Sequence, residues 1–185
     1  DGLRGVDHVL RYAVHDGTIH GIASHDARGG HVHLEGPQDA AGHEVPTAIG
    51  DLVADGFKWA MRDFKPDFGF VCGGTIRTDL PAKDLLLKDV YAILPFDNTM
   101  FVVTLKGTDV QALFDYMVTI KQGNGAFPQV SDGVSFTLNY DTKKCENILI
   151  GGKPIDPAKD YVIATDSYHA TGGDGYVVFK NASKK

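Results

Sequence analysis

The sequence predicts an α+β fold, a single domain with a mixed β-sheet flanked by helices. Two observations carry that class. Stretches 47–64 and 108–121 repeat apolar residues at the spacing of amphipathic helices. Short apolar or alternating runs at 68–71, 90–94, 100–105, 134–140, 147–150 and 161–165 read as strands. A third observation bounds the domain count. The chain has 185 residues, 43% hydrophobic and 23% charged, which suits one core, and neither a repeat nor a linker divides it.

Composition excludes several classes of function. A formal charge of −6 argues against a nucleic-acid groove, which needs a basic patch to displace counterions; Lys184-Lys185 is too small a tail to change that. No apolar run approaches the length of a membrane helix. The chain begins at Asp1 without methionine and reads as a processed or excised piece, with any targeting signal outside it. Cys72 and Cys145 lack CxxC spacing, and either free packed thiols or a bridge is compatible with the sequence.

Taken in order, Val6, Val9, Leu10, Ala13 and Val14 predict a short helix that His15-Asp16-Gly17 stops, so that residues 1–17 read either as a linker helix or as a frayed edge of the domain. Residues 18–24 alternate as a strand. Residues 25–45 are a polar, Gly- and His-rich loop with a short strand at 31–34. His31 and His33 share a face there, but no Cys or second His pair completes a metal set, and a surface loop is expected.

Ile49, Leu52, Val53, Phe57, Ala60 and Met61 form one helical stripe behind Thr47 as N-cap, and Pro66 ends it. Phe68–Val71 is a short buried strand running into Cys72-Gly-Gly-Thr-Ile-Arg77. Val90–Leu94 reads as a strand stopped by Pro95-Phe-Asp-Asn98, and 100–105 as the next. Thr108-Asp-Val-Gln111 is a capping box opening a helix to about 121, with Val110, Leu113, Phe114 and Met117 inward and Gly123–Gly125 closing it. Val134–Tyr140 and Asn147–Ile150 look like a hairpin pair. Tyr161–Thr165 is the last strand.

Three loops that follow strands carry the chemistry. After Thr165, three glycines in four positions surround Asp174, with Tyr168 just before them. A tight loop offering one carboxylate and one flat ring suits a ligand with hydroxyls and a planar ring, although alone it reads as an ordinary Gly/Asp turn. Gly73 and Gly74 permit close approach, and Arg77 offers a planar fork matched to phosphate or carboxylate. Phe96 stands at the end of a strand.

That set resembles the C-terminal domain of the 5'-nucleotidase family, which includes UDP-sugar hydrolase. The likeness rests on Gly73-Gly-Thr-Ile-Arg77, Leu94-Pro-Phe-Asp-Asn98, Gly125-Ala-Phe-Pro-Gln129, Ile155-Asp-Pro-Ala-Lys-Asp-Tyr161 and Ala170-Thr-Gly-Gly-Asp-Gly-Tyr176, together with the helix Ile49–Asp55, and runs from about residue 18 to 179. It implies a nucleotide-binding domain over 18–182, the substrate-recognition half of a phosphoric monoester hydrolase. Phe96 and Tyr168 would clasp the base, Asp174 would accept the ribose hydroxyls, and Arg77 would face the phosphate side. Stacking of a base on an aromatic ring is worth ~1–3 kcal/mol and tolerates different bases.

The pattern also departs from the family. Cys72 stands where the family has an Asn that contacts the base, and Thr75 replaces a third Gly. His43 falls where an Arg for the phosphate is usual, which weakens the grip or makes it pH-dependent. His169 has no family role and reads as a loop residue near the ligand. The D-x-H and G-N-H-E blocks of the family's metallophosphatase domain are absent. The resemblance therefore implies no catalytic residue and no metal in this chain, with two divalent ions held by a separate N-terminal domain. It implies inactivity of this piece alone and a periplasmic, cell-surface or secreted location. The alternative is a stand-alone nucleoside or sugar binding module working with a separate metallophosphatase.

Overall fold

The computed structural model describes residues 48–80, 84–120 and 124–184. The chain runs through helix α1 (Ala48–Ala60), strand β1 (Phe68–Cys72), helix α2 (Leu87–Ile93), β2 (Met100–Lys106), α3 (Gly107–Met117), β3 (Pro128–Val130), β4 (Val134–Asn139), β5 (Lys144–Ile150), β6 (Lys153–Pro154), β7 (Asp160–Asp166), α4 (Ser167–Ala170) and β8 (Ser183–Lys184). Short 3-10 turns lie at Arg62–Phe64, Gly73–Thr75, Gly173–Gly175 and Val177–Asn181. The expected helix at 6–14, the strands at 18–24 and 31–34, Thr47, Gly123 and the candidate His43 lie outside the described residues.

Among the described residues five strands form one sheet in the order β3-β1-β7-β2-β8, and three form a second, β4-β5-β6. Among the described strands of the larger sheet only β1 and β7 run parallel, which makes it mixed, as the sequence predicts. This one parallel step decides where the loops go. Because β1 and β7 point the same way, Cys72 and Asp166 both end at one edge. Since β2 and β3 run oppositely, Met100 and Pro128 start at that same edge.

The five residues of β1 are all buried. Gly69 lets α1 lie close on this strand, since a Cβ there would meet the Ala54 carbonyl. Phe70 is the hub of the aromatic core, edge-on to Tyr176 at 4.9 Å, Phe179 at 5.2 Å and His169 at 5.6 Å between centroids. Helix α3 buries Val110, Leu113, Phe114 and Met117 completely, the face its spacing predicts. Phe114 links the two sheets, 6.1 Å from Phe68 and 5.3 Å from Phe136.

The hairpin forms as expected, β4 against β5, with a register shift between Ser135 and Thr137. Two expectations fail. Val90–Leu94 is not a strand: residues 90–93 belong to α2 and Leu94 follows its end. Asp89 Oδ2 accepts from Leu86 N at 2.9 Å and caps the helix start, and Ile93 is buried beside Val53, Val71 and Ile76 while Tyr91 is exposed. Residues 91 and 93 would share a strand face, so that burial fits only a helix. The box at Thr108 is not used either. Helix α3 starts at Gly107 without a side-chain cap, and Gln111 Nε2 donates instead to Asp115 Oδ1 (3.0 Å) and to the Cys145 carbonyl (2.9 Å). Cys72 and Cys145 are both free and buried. Among the described residues no helix is long and apolar enough to cross a membrane.

Candidate functional site

Four loops, 73–77, 94–99, 124–127 and 167–176, meet at the edge set by the parallel step. Backbone hydrogen bonds join them. Gly73 N donates to Phe127 O (2.9 Å), Gly74 N to Gly125 O (2.7 Å), Arg77 N to Ile93 O (2.9 Å) and Ser167 N to Thr99 O (2.8 Å). The Ser167 hydroxyl accepts from Thr99 N (3.2 Å) and donates to Asn98 Oδ1 (3.3 Å). The amides of Gly73 and Gly74 are thus committed to protein carbonyls. What Gly74 contributes is closeness, because a Cβ would stand 3.1 Å from the Gly125 oxygen.

The ring-bearing residues lie on two of the joined loops. Phe96 precedes Thr99 by three residues and is 52% exposed; Tyr168 follows Ser167 directly and is 47% exposed. Neither ring is sealed in the interior. Arg77, also exposed, places its guanidinium carbon 5.9 Å from the Phe96 ring centre, within cation–π range, and donates through Nη1 to the Gly74 carbonyl (3.0 Å).

Positive φ at Gly172, Asp174 and Gly175 turns the last loop sharply enough to bring Asp174 back over Tyr168. The Tyr168 hydroxyl donates to Asp174 Oδ1 at 2.9 Å. Gly173 lies under the ring, where a Cβ would strike it. Two tyrosines pin the loop from below, Tyr116 through the Asp174 carbonyl (3.0 Å) and Tyr176 through the Ala126 carbonyl (3.0 Å). His169 and the Tyr168 hydroxyl together hold the Asp174 carboxyl below its usual range. The same Asp174 contact raises the Tyr168 phenol.

Beneath this surface lies a buried cluster that the sequence pattern did not assign. His169 is fully buried. Its Nδ1 and its backbone N both approach Asp166 Oδ1 at 2.8 Å. Its Nε2 sits 3.5 Å from Asp174 Oδ2, an ion-pair distance at which no hydrogen bond forms. Burial alone would lower the imidazole, but contacts with Asp166, Asp174 and Cys72 outweigh it and raise His169 to about 12. Burial pushes the Cys72 thiol up to about 11 against the pull of His169. The readable signal was Asp166 three residues before His169 at a strand end, the spacing of an N-cap carboxylate.

A comparison with family models matches residues 28–181 to "5'-nucleotidase, C-terminal domain". This chain belongs to that family. Among curated relatives of the 5'-nucleotidase C-terminal domain, Protein UshA of Escherichia coli K12 is 35% identical over 143 residues, covering 77% of this chain and 25% of the relative. The 5'-nucleotidase of Vibrio parahaemolyticus is 32% identical over 143 residues, with 77% and 24% covered. A solved structure, the 5'-nucleotidase precursor of Thermus thermophilus, aligns with a TM-score of 0.66 at 25% identity, over 76% of this chain and 29% of that one. The chain thus spans a quarter or less of the length of these curated relatives.

Proposed function

We propose that this 5'-nucleotidase C-terminal domain recognises the nucleotide for a phosphohydrolase that releases nucleoside and phosphate. One observation carries the reading: two half-exposed rings, Phe96 and Tyr168, stand on hydrogen-bonded loops, with the Asp174 carboxylate against Tyr168. A purine or pyrimidine stacks between such rings, and an ionised carboxylate accepts both hydroxyls of a ribose. Arg77, next to Phe96, faces the phosphate with charge-assisted hydrogen bonds. Cys72 is buried and its thiol protonated, so it supplies no strong polar contact to the base.

Hydrolysis would fall to a separate metallophosphatase domain, where two divalent ions would supply the chemistry of water activation. We assign the nucleotide-binding domain to 18–182 and to a location outside the cytoplasm. Names of relatives, including a trifunctional nucleotide phosphoesterase of Bacillus subtilis, support the nucleotide as substrate class.

Calorimetric titration of the chain with AMP and with adenosine tests this. Weak saturable binding that Phe96→Ala lowers about 5- to 100-fold is expected, together with no phosphate release from AMP by the chain alone. Folded protein that takes up neither ligand at millimolar concentration would overturn the proposal.

A further inference from the structure

The buried cluster under Asp174 has a use that nucleotide recognition does not absorb. Cys72 Sγ, a nitrogen of His169 and a carboxylate oxygen of Asp174 all lie within 4.8 Å of one another. They come from two strand ends that meet through the parallel pairing of β1 and β7. We propose that Cys72, His169 and Asp174 bind one zinc ion, with a water or ligand oxygen in the fourth position.

Three features argue for a metal. The first is the orientation of His169. Its Nδ1 is engaged by the buried Asp166 carboxylate at 2.8 Å, while the fully buried Nε2 points into the cluster without a hydrogen-bond partner. A carboxylate on the far nitrogen is the usual support of a zinc-ligating histidine, since it fixes the ring and raises its basicity. The second is a distance. Charge-assisted N–H···O contacts run about 2.7–2.9 Å, but Nε2 and Asp174 Oδ2 are 3.5 Å apart. Two zinc bonds of roughly 2.0–2.1 Å at the tetrahedral angle set their ligand atoms roughly 3.3 Å apart, close to what is found. Bringing the remaining separations to bonding length takes about 1 Å of side-chain movement.

The third is the donor set. Thiolate, imidazole and carboxylate together select zinc over the hard cations magnesium and calcium. The charges of Cys72 and Asp174 balance the ion, and binding releases the thiol proton and the Nε2 proton to solvent. Asp174 Oδ1 stays with the Tyr168 hydroxyl, so the metal would fix the carboxylate from below while its upper oxygen faces the ligand side. Without the metal, a proton on Nε2 makes the same residues an ion-paired clamp, and that is the rival outcome.

Cobalt(II) titration of the full chain, followed by absorbance, separates the two. Every histidine other than His169 lies before residue 48, so metal uptake alone would not locate the site. Thiolate-to-cobalt charge transfer does, because it requires cysteine. The expected result is a charge-transfer band saturating at one equivalent and bleached by zinc. Cys72→Ser abolishes the band and Cys145→Ser keeps it. Asp166→Asn keeps the band but weakens cobalt affinity about 10- to 100-fold. A wild-type spectrum without that band, or a band that survives Cys72→Ser, overturns the proposal. No nucleoside enters the assay, so its outcome is independent of the function proposed above.

Discussion

The Tyr168 hydroxyl lies 2.9 Å from Asp174 Oδ1 and accepts the Asp174 amide at 3.2 Å, so one oxygen of the candidate ribose acceptor is already engaged by the ring that would stack on the base. The ring and the hydroxyl therefore have separable effects. Tyr168→Phe keeps the ring and frees Oδ1, and adenosine affinity is expected to hold or rise. Tyr168→Ala is expected to lower it about 5- to 100-fold, the loss of one stacking face. Calorimetry on both variants decides; equal losses would assign binding to the hydroxyl.

Phe96 is more than half exposed and belongs to neither core cluster. Phe96→Ala should therefore weaken adenosine binding by a similar factor while leaving stability within about 0.5 kcal/mol. A thermal melt beside the calorimetry separates the two effects.

Gly69 sits where α1 crosses β1, and a Cβ there would press on the Ala54 carbonyl. Backbone is in the way rather than a flexible side chain, so relief requires moving the helix. Gly69→Ala should destabilise by about 1–3 kcal/mol or more, measured by urea unfolding.

Asp115 gathers Lys144 Nζ (2.8 Å), the Cys145 amide (2.9 Å) and Gln111 Nε2 (3.0 Å), tying α3 to β5. Against the opposing effect of burial, these donors hold its carboxyl below 3.8. Its contribution to stability is present above the unfolded value and lost as pH falls through the folded one. Asp115→Ala should cost about 1–3 kcal/mol at neutral pH, and less once the wild-type carboxyl is protonated.

Asp51 behaves in the opposite sense. Burial first, then the charges of Asp55 and Asp132, raise it from 3.8 to about 7. The folded protein keeps a proton that the unfolded chain has released, so stability should fall as pH climbs from about 4 to about 7 and level off above. Asp51→Asn should flatten that slope in denaturant melts across this range.

Helix α3 and the hairpin were legible because their signals are local and their burial follows period. Every inward residue named for α3 is fully buried. The run Val90–Leu94 misled because its β-branched and aromatic residues favour strands, a preference that the Asp89 cap and the pocket for Ile93 override. Strand β3 escaped notice because three residues beginning with proline carry little pattern, and only pairing with β1 orders them.

By itself the sequence determined the class of fold, the family, and the residue types offered by each loop, since these depend on spacing and turn chemistry along the chain. Only the tertiary structure decided which groups meet. The parallel step between β1 and β7 sends Cys72 and Asp166 to one edge, and the left-handed turn at Asp174 folds its carboxylate over His169. Contacts between residues about a hundred positions apart are set by strand order and packing, and no local propensity encodes them. For that reason a histidine that looked incidental in the sequence stands at the centre of the buried cluster.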